Sequence, residues 1–332
     1  MGNNLFQLAH AIHLAKCVGG IVHLPSPKKC DMMQKELFTC SNEKQQSFMD
    51  RFLPTGLTRT APWEKDTAYA VGPISVPQIY ADVNVKLEGD IESTFNDTCR
   101  HFKSLMGHPP YAKSAQSKRM RLIMRDEVIP AIVHIFENSK FDKSKTRSLR
   151  PEEKETLVIH VRGGDIMDPQ RSHAGFHQAP ASLAEKTIEE GGYKRVILCA
   201  EPPLNVSEIN PVHRSIKTFC ANRGIECHAD HRGMVEDMYL ILNASSVLIM
   251  GHTSFSRSLV IGSSVIENIY APYFGNQYDS LAYTFRDVRD VRVRIYELRN
   301  YLDVRAEWNP SEEMKVRMTS HRSEDVFLKA IL

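Results

Sequence analysis

The run His160-Val161-Arg162-Gly163-Gly164-Asp165 sets a guanidinium beside two glycines at the end of an apolar stretch. A guanidinium is a planar fork that matches phosphate oxygens, and glycine lets backbone N–H groups come close to an anion. Alternation along a strand puts His160 and Arg162 on one face as the stretch ends. The chemistry on offer is anion binding; a structural Arg162–Asp165 ion pair is the competing use of the same charge. A second set, Gly251-His252-Thr253-Ser254-Phe255-Ser256, leads directly into a helical pattern. Hydroxyls there can cap the helix, join its unpaired N–H groups in holding an anion, or do both. Glu201 and Asp237 are weaker candidates, each an isolated acid near the end of an element.

Absences narrow the chemistry further. No Asp-x-Asp triplet occurs anywhere in the chain, so a phosphate bound here would be neutralised by arginine and a helix terminus rather than by a metal ion. No metal or other cofactor is expected. P-loop, H-E-x-x-H and G-x-S-x-G elements are missing as well, which weighs against NTPase, zincin and α/β-hydrolase activities. The seven cysteines lack C-x-x-C pairs and read as buried free thiols. Cys220 and Cys227 are near enough in sequence to pair in an oxidising compartment.

Positioning these residues requires an orderly scaffold, and the second half of the chain supplies the pattern for one. Apolar strand patterns at Thr156–Val161, Arg195–Ala200, Ile225–His228, Val247–Met250 and Val265–Ile269 alternate with helical patterns. The helices are expected at Ala181–Glu190, Pro211–Asn222, Met234–Asn243 and Ser254–Gly262. Such alternation predicts a parallel sheet with crossover helices, whose ligands bind beyond the carboxyl ends of the strands. The first half is less regular. A helix is predicted over Leu5–Lys16, then a strand at Ile21–Leu24, with short strands at Ala68–Val71 and Ile79–Val85. Helices follow at Ile91–Leu105 and Ala115–Glu137, the latter bent by Pro130. The polar run Asn138–Lys154 reads as a solvated linker. The organisation expected is an α/β domain over 1–150 with its first strand short or missing, a Rossmann-like domain over 151–275, and a segment over 276–332 packing back across both.

The length of 332 residues and the 42% apolar content suit two domains with proper cores. A formal net charge of +2 gives no field strong enough to suggest nucleic acid or acidic lipid. The longest apolar stretches, Ser246–Met250 and Leu259–Ile266, are far shorter than the ~20 residues of a membrane span. A chain soluble as it stands is expected, cytoplasmic or, with an anchor outside it, in the secretory pathway.

The motifs together resemble those of the inverting, metal-independent fucosyltransferase superfamily, which includes α1,2-, N-glycan core α1,6- and protein O-fucosyltransferases. Gly2-Asn3-Asn4-Leu5-Phe6-Gln7-Leu8-Ala9 resembles the Gly-Asn-Gln-x-Phe-Gln-Tyr-Ala opening of the α1,2 enzymes. His160–Asp165 resembles their His-x-Arg-Arg-Gly-Asp run, and Asp237–Ser256 resembles the helix, strand and Thr/Ser-Phe-Ser segment of their donor domain. The likeness covers the first twenty or so residues and Leu157–Ser264, and leaves Pro25–Lys154 without a counterpart.

The resemblance implies a GT-B-like α/β fold, two Rossmann-like domains facing a central cleft, with the sugar nucleotide held by the C-terminal one. It implies an inverting transfer of a sugar, L-fucose from GDP-fucose, to a hydroxyl of a glycan or glycoprotein. Arg162 matches the arginine on the β-phosphate; Thr253 and Ser254 match hydroxyls near the same phosphates, and Asp237 matches a carboxylate on the base. Donor contacts are expected at Asn4, His160, Arg162, Gly163, Asp237, His252, Thr253 and Ser254. Catalytic roles fall to Arg162 and to a general base, Asp168 or His177, with His173 as a rival. Gly163 stands where the family has a second arginine, and Asp168–Pro180 departs from the family pattern. Another donor such as UDP-xylose, or a glycan- or nucleotide-binding module without catalysis, are the alternatives.

Overall fold

In the computed structural model the protein is described at residues 21–23, 69–71, 84–86, 121–130, 133, 143–169, 177–200, 210–251, 253–274, 285, 290–302 and 308–331. The chain divides into two compact units, Met1–Phe141 and Asp142–Leu332.

In the first unit, β1 (Ile21–His23), β2 (Tyr69–Val71) and β3 (Asn84–Lys86) form an antiparallel sheet in the order β1-β3-β2. Residues 121–130 are helical, with a π-helical turn at Met124–Val128 ahead of Pro130, closed by the Ile129 N–H donating to the Met124 carbonyl. Proline brings no N–H to the ladder and its ring crowds the preceding turn, which a widened turn relieves. The predicted helices at Leu5–Lys16 and Ile91–Leu105 lie outside the described residues.

The second unit is an α/β layer structure. Its strands are β4 (Thr156–Val161), β5 (Arg195–Ala200), β6 (Glu226–His228), β7 (Ser246–Ile249), β8 (Asn268–Pro272), β9 (Arg292–Leu298) and β10 (Val326–Ile331), in the spatial order β10-β9-β8-β7-β4-β5-β6. All pairings are parallel except β9 with β10. The helices are α1 (Lys143–Arg147), α2 (Ala181–Gly191), α3 (Pro211–Asn222), α4 (Met234–Leu242), α5 (Ser254–Gly262) and α6 (Glu312–Ser320). The centre of the sheet is β4, Thr-Leu-Val-Ile-His-Val, buried along its whole length. A continuous apolar run is what a parallel strand covered on both faces requires.

The strand order reverses at β4. From β4 the chain steps outward to β5 and β6, then returns to lay β7 on the opposite edge of β4. Right-handed crossovers in the two directions carry their helices to opposite faces. In agreement, α2 and α3 pack together and against α6, whereas α4 packs against α5 and α1.

Two expectations are corrected. The polar run Asn138–Lys154 is not wholly a solvated linker, because Lys143–Arg147 forms α1, Thr146 is buried, and the Arg147 Nε donates to the Tyr239 hydroxyl of α4 at 3.2 Å. The last core strand starts at Asn268 rather than Val265. Ser263 ends α5 by donating its hydroxyl to the Leu242 carbonyl while accepting the Val265 N–H, so the apolar Val265 is spent on an exposed turn. Residues of the 276–332 segment supply β9 and β10, extending the sheet at one edge.

Because Ile159 lies fully buried at the middle of β4, Ile159→Ala is expected to destabilise the second unit by about 2–5 kcal/mol. Urea unfolding monitored by circular dichroism measures this as a lowered midpoint with an unchanged slope.

Candidate anion-binding site

Where strand order reverses, the loops leaving two neighbouring strands run to opposite faces and leave a crevice beyond their carboxyl ends. Here the reversal lies between β4 and β7. Arg162 is the first residue past β4 and half-buried. The chain then turns through Gly164, whose φ of +59° is left-handed backbone that glycine adopts without strain, into a 3-10 turn at Gly164–Met167. Burial of Ile166 and Met167, and a 2.8 Å hydrogen bond from the Trp308 indole N–H to the Ile166 carbonyl, hold that turn in place. Half-buried Asp168 follows it.

On the other side, Met250 and Gly251 continue β7. The Met250 N–H donates to the His160 carbonyl at 3.1 Å, and the Met250 carbonyl accepts from the Ala179 N–H at 2.6 Å. Gln178 bridges antiparallel to Gly251. A β-carbon at Gly251 would lie 2.9 Å from the His177 carbonyl oxygen and 3.6 Å from the Arg162 β-carbon. Only glycine permits that approach, which brings Arg162, His177 and the β7 extension together. The His177 ring stacks on Phe274 at 5.1 Å between centroids.

The chain next enters α5. The Thr253 hydroxyl accepts the Phe255 N–H at 3.1 Å, so capping is its observed use. The other N–H groups of the first turn face the end of the helix where a negative charge is favoured. Phe255 lies 5.4 Å from the His160 ring. Burial, and after it the Arg162 charge, lower the His160 pKa to about 3, so His160 is a neutral imidazole at physiological pH. Among the described residues its Nδ1 has no hydrogen-bond partner, nor have the Ser256 hydroxyl and the Gln178 side-chain Oε1, all three buried.

Asp237 sits one strand away. His160 pairs in register with Cys199 of β5, so the two side chains share a face, and the Cys199 thiol donates to the Asp237 carboxyl in the first turn of α4. Burial raises the Asp237 pKa to about 8, against the opposing influences of Cys199 and Arg232. Its Oδ1 has no partner among the described residues.

The structure thus brings His160, Arg162, Gly163, His177, Thr253 and Ser254 to the ends of β4 and β7 and sets Asp237 beside the neighbouring β5. Asn4, His173, Glu201, His252 and the Asp165 side chain lie outside the described residues. Ser256 belongs to the hydroxyl set marked in the sequence, whereas Gln178, Phe274 and Asn210 were not marked, the last an N-cap visible as Asn-Pro ahead of an apolar helix. Cys199, Cys220 and Cys227 are free thiols. Among the described residues, no group of three or more His, Cys, Asp or Glu side chains could hold a metal ion, and no helix is long and apolar enough to cross a membrane. A guanidinium, a helix N-terminus and neutral hydrogen-bonding groups can together hold an anion.

The two shifted groups act oppositely on stability. His160 charges in the unfolded chain below about 6.5 but in the folded one only near 3, so its environment costs stability as pH falls through that window. Asp237 keeps its proton when folded up to about 8 and loses it near 3.8 when unfolded, so stability falls as pH rises across that range. Between pH 6.5 and 8 only Asp237 of the pair changes state. Asp237→Asn is expected to gain on the parent over that interval by about 1 kcal/mol per pH unit, measured by urea unfolding at several pH values. Comparison of the whole chain with known protein families and with curated proteins finds no match to either.

Proposed function

We propose that the second unit holds the diphosphate of a nucleotide sugar and that the protein is an inverting, metal-independent glycosyltransferase of GT-B-like organisation, with GDP-fucose as donor. One observation carries the reading: Arg162 stands at the reversal of strand order, against the extension of β7 that enters α5. An acceptor hydroxyl of a glycan or glycoprotein attacks the anomeric carbon as the nucleoside diphosphate departs. Charge grows on the β-phosphate, and Arg162 with the first turn of α5 stabilises it from fixed positions.

General-base assistance, of the order of 10²–10⁴ in rate, falls to Asp168 or His177. Asp168 is the more accessible, since His177 is buried against Phe274. His160 and Asp237 would meet the nucleobase, where the Asp237 carboxylate accepts from the N1–H and N2–H of guanine. The substitution of glycine for the family's second arginine, at Gly163, favours a second reading: a nucleotide- or glycan-binding module of the same fold without turnover. UDP-xylose is the rival donor.

GDP is expected to raise the melting temperature more than UDP does, since tighter ligands stabilise more. Arg162→Ala should weaken GDP binding and shrink the GDP shift, while leaving the unliganded melting temperature within a few degrees of the parent. A folded Arg162→Ala protein with full GDP binding and full donor turnover removes the assignment. GDP binding with no GDP release from GDP-fucose under any acceptor condition favours the module.

Guanine binding through the Asp237 carboxylate requires ionisation of a group that is protonated below about 8 in the free protein. GDP affinity should therefore climb as pH rises from 6 towards 8, by up to about tenfold per unit, and Asp237→Asn should flatten that rise. Calorimetric titration in buffers of different ionisation enthalpy reads the accompanying proton release.

A further inference from the structure

The ladder between β4 and β5 ends at the pair Val161 and Ala200, so the Arg162 carbonyl lies beyond the last rung on that edge. Asn210 takes up the carbonyl. Its Nδ2 donates to the Arg162 oxygen at 2.6 Å, while its Oδ1 accepts the Val212 N–H at 2.9 Å as the N-cap of α3. Asn210 is buried, and only one orientation of its amide satisfies both bonds, because a carbonyl accepts and an N–H donates. One rigid plane thus ties the start of α3 to the first residue beyond β4. Capping alone does not demand asparagine, since aspartate and serine cap about as well; what asparagine adds is a donor with this reach.

Asn210 holds the Arg162 main chain at its carbonyl, and Gly251 faces it at a spacing where an added β-carbon would come 3.6 Å from the Arg162 β-carbon. We propose that Asn210 is a positioning residue: its amide fixes the Arg162 backbone so that the guanidinium is aimed at the diphosphate before the ligand arrives. This rests on the reading of Arg162 as the diphosphate ligand. A pre-aimed guanidinium loses less freedom on binding than one that must be ordered by the anion.

The test is calorimetric titration of the full-length chain with GDP, using the parent, Asn210→Asp, Asn210→Ser, Arg162→Ala and the double variant Arg162→Ala/Asn210→Ser. Both Asn210 variants keep an oxygen to cap α3, so the Val212 amide should retain its hydrogen-exchange protection and the melting temperature should stay close to the parent's. GDP affinity should nevertheless fall by about tenfold in each, the factor that corresponds to one hydrogen bond. The uncharged Asn210→Ser variant separates lost positioning from the repulsion that an added carboxylate would exert. In the Arg162→Ala background, Asn210→Ser should change affinity by less than about twofold, as expected for a residue acting through the guanidinium.

Parent-like affinity in Asn210→Ser overturns the proposal. So does an equal loss in the Arg162→Ala background, or a loss that appears only where Val212 protection is lost, since either assigns the effect to the fold. Absence of GDP binding by the parent removes the diphosphate reading itself. GDP binding that is indifferent to Arg162→Ala removes Arg162 as the ligand while leaving nucleotide binding intact.

Discussion

The strand β4 is hydrogen-bonded along both edges and buried on both faces, and the placement of the candidate ligands follows from that constraint. A strand so enclosed offers water nothing but its ends. Polar side chains in its sequence must lie at a terminus, and at the carboxyl end of β4 the crossovers diverge to opposite faces. His160 and Arg162 mark the transition. The first still belongs to the ladder and is stripped of water; the second has left it and is half-exposed.

The surroundings of that end carry buried polar groups that have no hydrogen-bond partner among the described residues. An unmet buried donor or acceptor costs about 1–3 kcal/mol, and His160, Gln178, Ser256 and Asp237 each contain one. Native chains rarely leave such groups in ordinary core. Their concentration around the ends of three adjacent strands sets this region apart from the opposite end of the sheet. There Arg195 is paired with both Glu153 and Glu226. Charge at that end is matched within the protein.

Legibility in the sequence tracked how local each determinant is. Strands β4 and β5 and helices α3 and α5 fall on the ranges read from the apolar pattern, because a parallel strand and an amphipathic crossover leave unlike periodicities in the sequence. Strand β8 was misplaced because Val265 looks like core and is exposed; its fate was decided by hydrogen bonds of Ser263 with Leu242 and Val265, the first to a residue well separated in the chain. Helix α1 was concealed within a charged run whose packing against Tyr239 has no local signature. In the first unit the short strands β1 and β2 lie inside ranges marked as strand, yet nothing local fixed their antiparallel pairing through β3.

The site divides along the same line. The sequence by itself determined the residue types available, a guanidinium beside glycines after a strand and hydroxyls at a helix start, because glycine conformation, strand alternation and helix capping act within a few residues. It also set the order of alternating elements that builds a mostly parallel sheet. It took the assembled fold to settle that β7 returns to the far edge of β4, that Gly251 leaves no room for a β-carbon beside the His177 carbonyl, and that Asn210 reaches the Arg162 carbonyl. Burial of His160 and Asp237, and with it their shifted protonation, was settled at that level as well. Contacts between elements depend on which faces the crossovers cover, and desolvation depends on everything packed around a group; neither is encoded by neighbours in the chain.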